Sequence, residues 1–123
     1  MKDPIGKKVW VFPDGDLPPA GPFPLKGHES VIILNMNDEE VKVKMTLYFT
    51  DKEPIVDLPV VVQAQRVRCL RMDDPADIGG FTLPRDEQYA IKLECSLPVV
   101  AQYGRLDTRD QPLSFYTTPG YSE

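Results

Sequence analysis

Three charged side chains at alternate positions, Arg105, Asp107 and Arg109, offer the clearest chemistry in the sequence. They close the stretch Leu97–Arg109, LPVVAQYGRLDTR, whose apolar beginning, Leu97, Val99, Val100 and Ala101, reads as a buried strand leaving the core. Side chains alternate faces along a strand, so the three charges are expected on one side with Leu106 on the other, two guanidinium groups around one carboxylate. A guanidinium fork matches carboxylate or phosphate geometry. The row therefore reads either as a self-satisfied structural network or as a recognition surface for an anionic or hydroxyl-rich ligand. Surface ion pairs are common and individually weak, which makes structural pairing the ordinary expectation. A β-bulge at Gly104 would shift the register by one residue just before the charges.

His28 and Glu29 are the other candidates for acid–base or binding chemistry, at the mouth of the strand Ser30–Asn35. His28 is the one histidine of the chain. Metal sites need several ligands at defined spacing and none is offered, so a hydrogen-bonding structural role is expected for it, and no metal or other cofactor. Cys69 and Cys95 belong to no CxxC pattern and sit beside aliphatic residues, where buried apolar thiols are expected. Gly79-Gly80 lacks the strand–GxGxxG–helix context of a phosphate cradle. There is no nucleophile elbow. An enzyme would have only His28, Glu29 and Asp107 to work with, so a non-enzymatic protein is expected.

The elements that must position these residues are strands. Val41–Thr50 alternates Val41, Val43, Met45, Leu47 and Phe49 with polar residues and Tyr48, the pattern of a half-buried antiparallel strand. Lys8–Phe12, Pro59–Gln63, Arg66–Met72, Gln88–Ser96, Leu97–Arg109 and Leu113–Thr118 complete, with Ser30–Asn35, a set of about eight. Trp10 is expected in the core or at a subunit interface. Thirteen prolines, five of them between the first two strands, exclude long helices, and Pro13–Gly27 reads as a long, stiff loop. The segment Arg66, Arg68, Arg71 is basic but is followed at once by Asp73 and Asp74, so a locally compensated surface is expected. The fold class is all-β, an antiparallel sandwich or jelly roll, in a single domain over residues 1–123.

Net charge is -5, which disfavours nucleic acid as a partner. No window is long enough to span a membrane, and Met1-Lys2-Asp3-Pro4 is not followed by the apolar core of a signal peptide, so a cytoplasmic location is expected.

Four motifs resemble, in the same order and at similar spacing, those of one family, the sensory rhodopsin transducers: HESVIILN at His28–Asn35, TDKEP at Thr50–Pro54, DDPA at Asp73–Ala76 and PVVAQYGRLDTR at Pro98–Arg109. Ile5-Gly6, Trp10 and the Pro18-Pro19 step add to the resemblance, which covers nearly the whole chain. It implies a small soluble jelly-roll protein that assembles as a homotetramer. It also implies docking on the cytoplasmic side of a retinal-binding seven-helix receptor, whose signal the protein passes on without catalysis. Carried over as the shared partner or ligand surface are His28, Glu29, Asn35, Arg66, Arg105, Asp107 and Arg109. Gly104, where a larger polar residue is expected, and the Gly79-Gly80-Phe81 loop depart from the family's pattern.

Two functions of different kinds follow. One is an oligomeric signalling adaptor that binds a partner protein, in the resemblance a membrane photoreceptor. The other is a carbohydrate- or small-anion-binding module, with Arg105, Asp107, Arg109 and His28 joined in a pocket by Trp10, Tyr48 or Tyr103.

Overall fold

Alternation of apolar residues does resolve into strands in the computed structural model, which describes residues 4–110 and 112–123. The signal-peptide reading of Met1–Pro4 falls mostly outside the described residues. Eight strands are formed among the latter: β1 (Lys7–Asp16), β2 (His28–Asn35), β3 (Val41–Phe49), β4 (Ile55–Val62), β5 (Arg66–Arg71), β6 (Gln88–Asp107), β7 (Ser114–Thr118) and β8 (Tyr121–Ser122). A turn of 3-10 helix, Pro75–Asp77, is capped by the Asp74 side chain, which accepts from the Ala76 amide.

All strand pairs are antiparallel, and β6 belongs to two sheets. Its first part lies between β3 and β1 in a sheet ordered β4-β3-β6-β1-β8. Its last part lies between β2 and β7, with β5 beyond β2. The two sheets face one another as a sandwich. Their inner faces carry Phe12, Val31, Ile33, Val43, Met45, Leu47, Leu70, Ile91, Leu93 and Tyr103, all nearly inaccessible.

Several expectations are revised. Gln88–Ser96 and Leu97–Arg109 are one strand of 20 residues, because the ladder to β1 and β3 hands over to the ladder with β2 near Val99 and Val100. Gly104 is no bulge: Ser30 and Thr117 flank it in continuous register. The irregularities lie elsewhere, in β1 between Lys7 and Val9 and between Phe12 and Gly15, and in the β3–β4 pair, where Asp57 takes a φ of 57°. β1 runs through Pro13 to Asp16, which shortens the loop expected from Pro13. Pro59 is tolerated because β4 is an edge strand with no partner on its far side in the sheet order. Trp10 enters the core, donating its indole N–H to the carbonyls of Lys7 and Val99 and stacking on Phe12 with ring centroids 6.4 Å apart. Cys95 is buried as expected, but Cys69 is exposed, since Leu70 takes the inward position on β5 and turns its neighbour out.

Candidate functional site

β2 alternates perfectly, with Glu29, Val31, Ile33 and Asn35 inward and His28, Ser30, Ile32 and Leu34 half-buried on the other face. An anionic side chain thus enters the sandwich at one end and an amide at the other. His28 and Glu29, neighbours in sequence, face opposite ways.

Glu29 is completely buried. Its Oε1 accepts from the Tyr89 hydroxyl at 2.7 Å, and its Oε2 accepts from the Tyr103 hydroxyl and from the Asp16 amide at 2.9 Å. Arg105 Nε lies 3.6 Å from the same carboxylate and donates to the Tyr103 hydroxyl at 3.1 Å. A buried carboxylate is tolerated when it is fully hydrogen-bonded and accompanied by a cation, and this one has both. Burial, reinforced by the Glu29 charge, holds the Tyr89 and Tyr103 hydroxyls well above the usual phenol range. Both phenols stay protonated donors at any ordinary pH.

Arg105 carries this network to the rim. Its Nη2 donates to the Asp14 carbonyl at 3.1 Å, and its guanidinium stands over the Tyr116 ring, 5.2 Å from the centroid. The expected row of Arg105, Asp107 and Arg109 is accordingly split. Arg105 follows the inward parity of Tyr103 and turns to Glu29. Asp107 pairs with Arg109, whose Nε donates to both carboxylate oxygens at 2.8 and 3.0 Å. That bond holds the Asp107 carboxyl below the usual carboxylate range.

His28 lies beside this end, its Nδ1 2.9 Å from the Lys26 carbonyl. Asn35 lies at the far end of β2, fully buried. Its amide nitrogen donates to the carbonyls of Glu39, Val62 and Gln63, and its oxygen accepts from the Asn37 amide and side chain. Arg66, opposite Asn35 in the ladder, is exposed and donates to the Gln65 carbonyl. The structure therefore brings together His28, Glu29, Arg105, Asp107 and Arg109, and leaves Asn35 and Arg66 at the other end of β2. Arg71 is compensated by Asp73 at 2.9 Å, and Arg68 by Asp77 at 3.7 Å. Tyr48 projects from the outer face of the first sheet while Trp10 and Tyr103 are buried, so these aromatics do not share a pocket with the charges. A depression of about 450 Å³ between β4 and β5 is lined by Val61, Val62, Gln63, Arg66, Val67 and Arg68. Among the described residues no cluster of three or more His, Cys, Asp or Glu is placed to hold a metal ion, and no helix is long and apolar enough to cross a membrane.

Comparison with known proteins bears on this arrangement directly. The family model described as Anabaena sensory rhodopsin transducer matches residues 5–122. The chain belongs to this family. Among solved structures, the Anabaena sensory rhodopsin transducer is 36% identical, with a TM-score of 0.71, covering 80% of this chain and 94% of that one. A Thermotoga maritima protein, known by its crystal structure as 1070, is 34% identical with a TM-score of 0.87 and 97% coverage of each chain. No curated protein matches. Two of the four motifs read in the sequence, HESVIILN and PVVAQYGRLDTR, fall on β2 and the end of β6, strands that contribute Glu29, Tyr103 and Arg105 to the network, while TDKEP and DDPA fall at the β3–β4 turn and the 3-10 turn.

Tyr89, Asp14 and Asp16 take part in the network without having been singled out in the sequence. A signal was there: Tyr89 shares the inward parity of Ile91, Leu93 and Cys95, and Glu29 that of Val31 and Ile33. A phenol and a carboxylate both pointing into a core need one another.

Proposed function

We propose that the protein is a non-enzymatic signalling adaptor that works as a cytoplasmic homo-oligomer, a tetramer in the family's manner, and binds a partner protein through the Arg105 end of the sandwich. The observation that carries this reading is the family membership over residues 5–122, joined to the meeting of the HESVIILN and PVVAQYGRLDTR strands at the Arg105 end. Arg105 is held rigidly by the Glu29 network, and the exposed Asp107–Arg109 pair stands beside it. Ordered charge at a rim fixes the orientation of an encounter and costs little entropy on binding. The partner of the Anabaena relative, by its name, is a sensory rhodopsin.

The test is a titration of the purified protein with a seven-helix retinal receptor from the same source, held in lipid nanodiscs, at low and high salt. Saturable binding that weakens with salt and is lost in Arg105→Ala supports the adaptor. Absence of binding at both salt concentrations overturns the receptor as partner.

A second reading, a small-anion or sugar-binding module, is favoured by the depression between β4 and β5, whose volume of about 450 Å³ falls in the ordinary range of ligand pockets and which presents Arg66 beside apolar Val67. A thermal-shift panel of sugars, nucleotides and organic anions decides it. A saturable rise lost in Arg66→Ala establishes the module, and no rise from any compound removes it.

A further inference from the structure

The edges of the two sheets are not equally guarded. On β4, Pro59 has no N–H to offer and the Val61 carbonyl accepts from Arg68 Nη1 at 2.7 Å. On β5, the Arg71 amide donates to the Asp77 carboxylate at 2.9 Å. β1 is covered by β8, where Val9 and Glu123 exchange both backbone hydrogen bonds. β7 has none of these devices. Its sequence Ser114–Thr118, SFYTT, holds neither charge nor proline, and among the described residues no strand lies beyond it. Phe115 is 69% and Tyr116 40% exposed. The direction of its backbone groups follows from alternation along the strands. The Glu29 carbonyl accepts from the Met72 amide, on the β5 side. Ser30, the next residue, therefore turns its backbone groups to Gly104 of β6, and Arg105 turns its own to Tyr116 of β7. Phe115 and Thr117, on either side of Tyr116, aim their N–H and C=O groups at the open edge, about 6.8 Å apart.

We propose that a segment of the partner protein binds here in extended form, added to the second sheet as a further strand beside β7. The proposal rests on the adaptor reading and says how the partner is held. Donors and acceptors in this pattern are matched by another extended backbone. The site is continuous with the Arg105 rim: Tyr116 is the ladder partner of Arg105, and the guanidinium stands over its ring. Area selects the occupant. An edge of five residues, roughly 17 Å long and about 10 Å high, offers about 170 Å², far short of the ~800 Å² per partner that two globular copies need. It suits a linear segment of a protein that is also held at the rim. On one face the segment meets Phe115, backed by Leu106, and on the other the Tyr116 phenol, so apolar and hydrogen-bonding side chains should alternate along it.

The experiment selects a displayed library of random seven-residue peptides on the wild-type protein. The selected peptides, and in parallel the retinal receptor in nanodiscs, are titrated against wild type, Thr117→Pro and Thr117→Val. Proline removes an outward N–H and leaves the ladder to β6 intact, whereas valine keeps the N–H and removes only the hydroxyl. The expected result is peptides of alternating pattern whose affinity falls about tenfold or more in Thr117→Pro and is unchanged in Thr117→Val, at equal melting temperatures. Amide hydrogen exchange at Phe115 and Thr117 of the wild type should slow when peptide is added, a reading that stands even if Thr117→Pro folds poorly. A library that yields no binder, peptides that leave those two amides unprotected, or a receptor that binds a folded Thr117→Pro as tightly as wild type would overturn strand addition, the last while leaving the adaptor standing. A drop in mass of Thr117→Pro by light scattering would make the occupant a second copy and overturn the partner segment. Peptides held at β7 by a protein that ignores the receptor would support the edge and overturn the receptor as partner.

Discussion

Tyr103 and Glu29 are diagonal neighbours on the inner face of the β2–β6 ladder, and the phenol donates a hydrogen bond to the buried carboxylate. Tyr89, from the part of β6 that belongs to the other sheet, donates to the same carboxylate. Glu29 thereby ties the two sheets together at the end where Arg105 emerges.

Removing the carboxylate should be felt throughout the fold. Glu29→Ala leaves two buried phenols and the Asp16 amide without their acceptor and Arg105 without its counter-charge, and a loss of about 3–5 kcal/mol is expected. Glu29→Gln keeps the shape and part of the bonding, so it should cost less. Urea denaturation measures both. A Glu29→Ala protein within about 0.5 kcal/mol of wild type would mean that the network holds nothing together.

Stability should fall in strong base. The Tyr89 and Tyr103 hydroxyls titrate above the ordinary phenol value of 10.0 in the folded chain. Their contribution is therefore fully present below pH 10, where both states hold the proton. It is lost progressively as pH rises beyond 10, because the unfolded chain gives up its protons first. The slope is about 1.4 kcal/mol per pH unit for each phenol. Denaturant titrations at rising pH should show this fall, and it should halve in Tyr89→Phe. Phenolate absorbance that appears in the folded protein near pH 10 for all five tyrosines would contradict it.

Asn35 should matter to stability and not to events at the opposite end. Its side chain closes five hydrogen bonds that fasten the β2–β3 turn to the end of β4. Asn35→Ala leaves buried carbonyls and an amide unpaired, at an expected cost of about 2–4 kcal/mol in chemical denaturation. Partner affinity, measured where the variant is still folded, should equal that of wild type.

Arg105 and Arg109 should separate stability from binding. Arg109 pairs with Asp107 in the open, so Arg109→Ala should leave the melting temperature where it was while weakening partner binding most at low salt. Arg105 serves both the buried network and the rim. Arg105→Ala should lower the melting temperature, by removing the cation beside Glu29, as well as partner affinity. Equal melting temperatures for the two variants would show that Arg105 is not built into the Glu29 network.

Gly6 and Gly80 both have positive φ, yet only one is confined. A Cβ on Gly6 would lie 2.2 Å from the Val99 carbonyl oxygen, where the backbone of β6 passes, whereas a Cβ on Gly80 meets nothing within 4 Å. Gly80→Ala should cost about 1 kcal/mol of backbone strain, and Gly6→Ala distinctly more, in parallel melts.

Local patterning made much of this architecture legible. Val41 through Leu47 alternate inward in the sequence and in the structure, and so do Ile91, Leu93 and Cys95, because burial on one face of a strand imposes a period of two. The continuity of β6 across Ser96 and Leu97 was not legible in the same way. A proline normally marks a strand's edge, but Pro98 falls where the strand passes from one sheet to the other, and its carbonyl accepts from Asn37.

The sequence by itself determined the fold class, the inward and outward positions of most strands, and the family. These follow from short-range alternation and from ordered motifs, which are local properties. Only the tertiary structure decided that Arg105 leaves the Asp107–Arg109 pair for Glu29, that Cys69 faces out, and that Asn35 and Arg66 stand apart from the other candidates. Each of those outcomes depends on partners far off in the chain. Tyr89 and Glu29, for instance, are 60 residues apart and meet only because β6 is long enough to serve both sheets. A period of two says which face a side chain takes, and only the pairing of strands says what waits there.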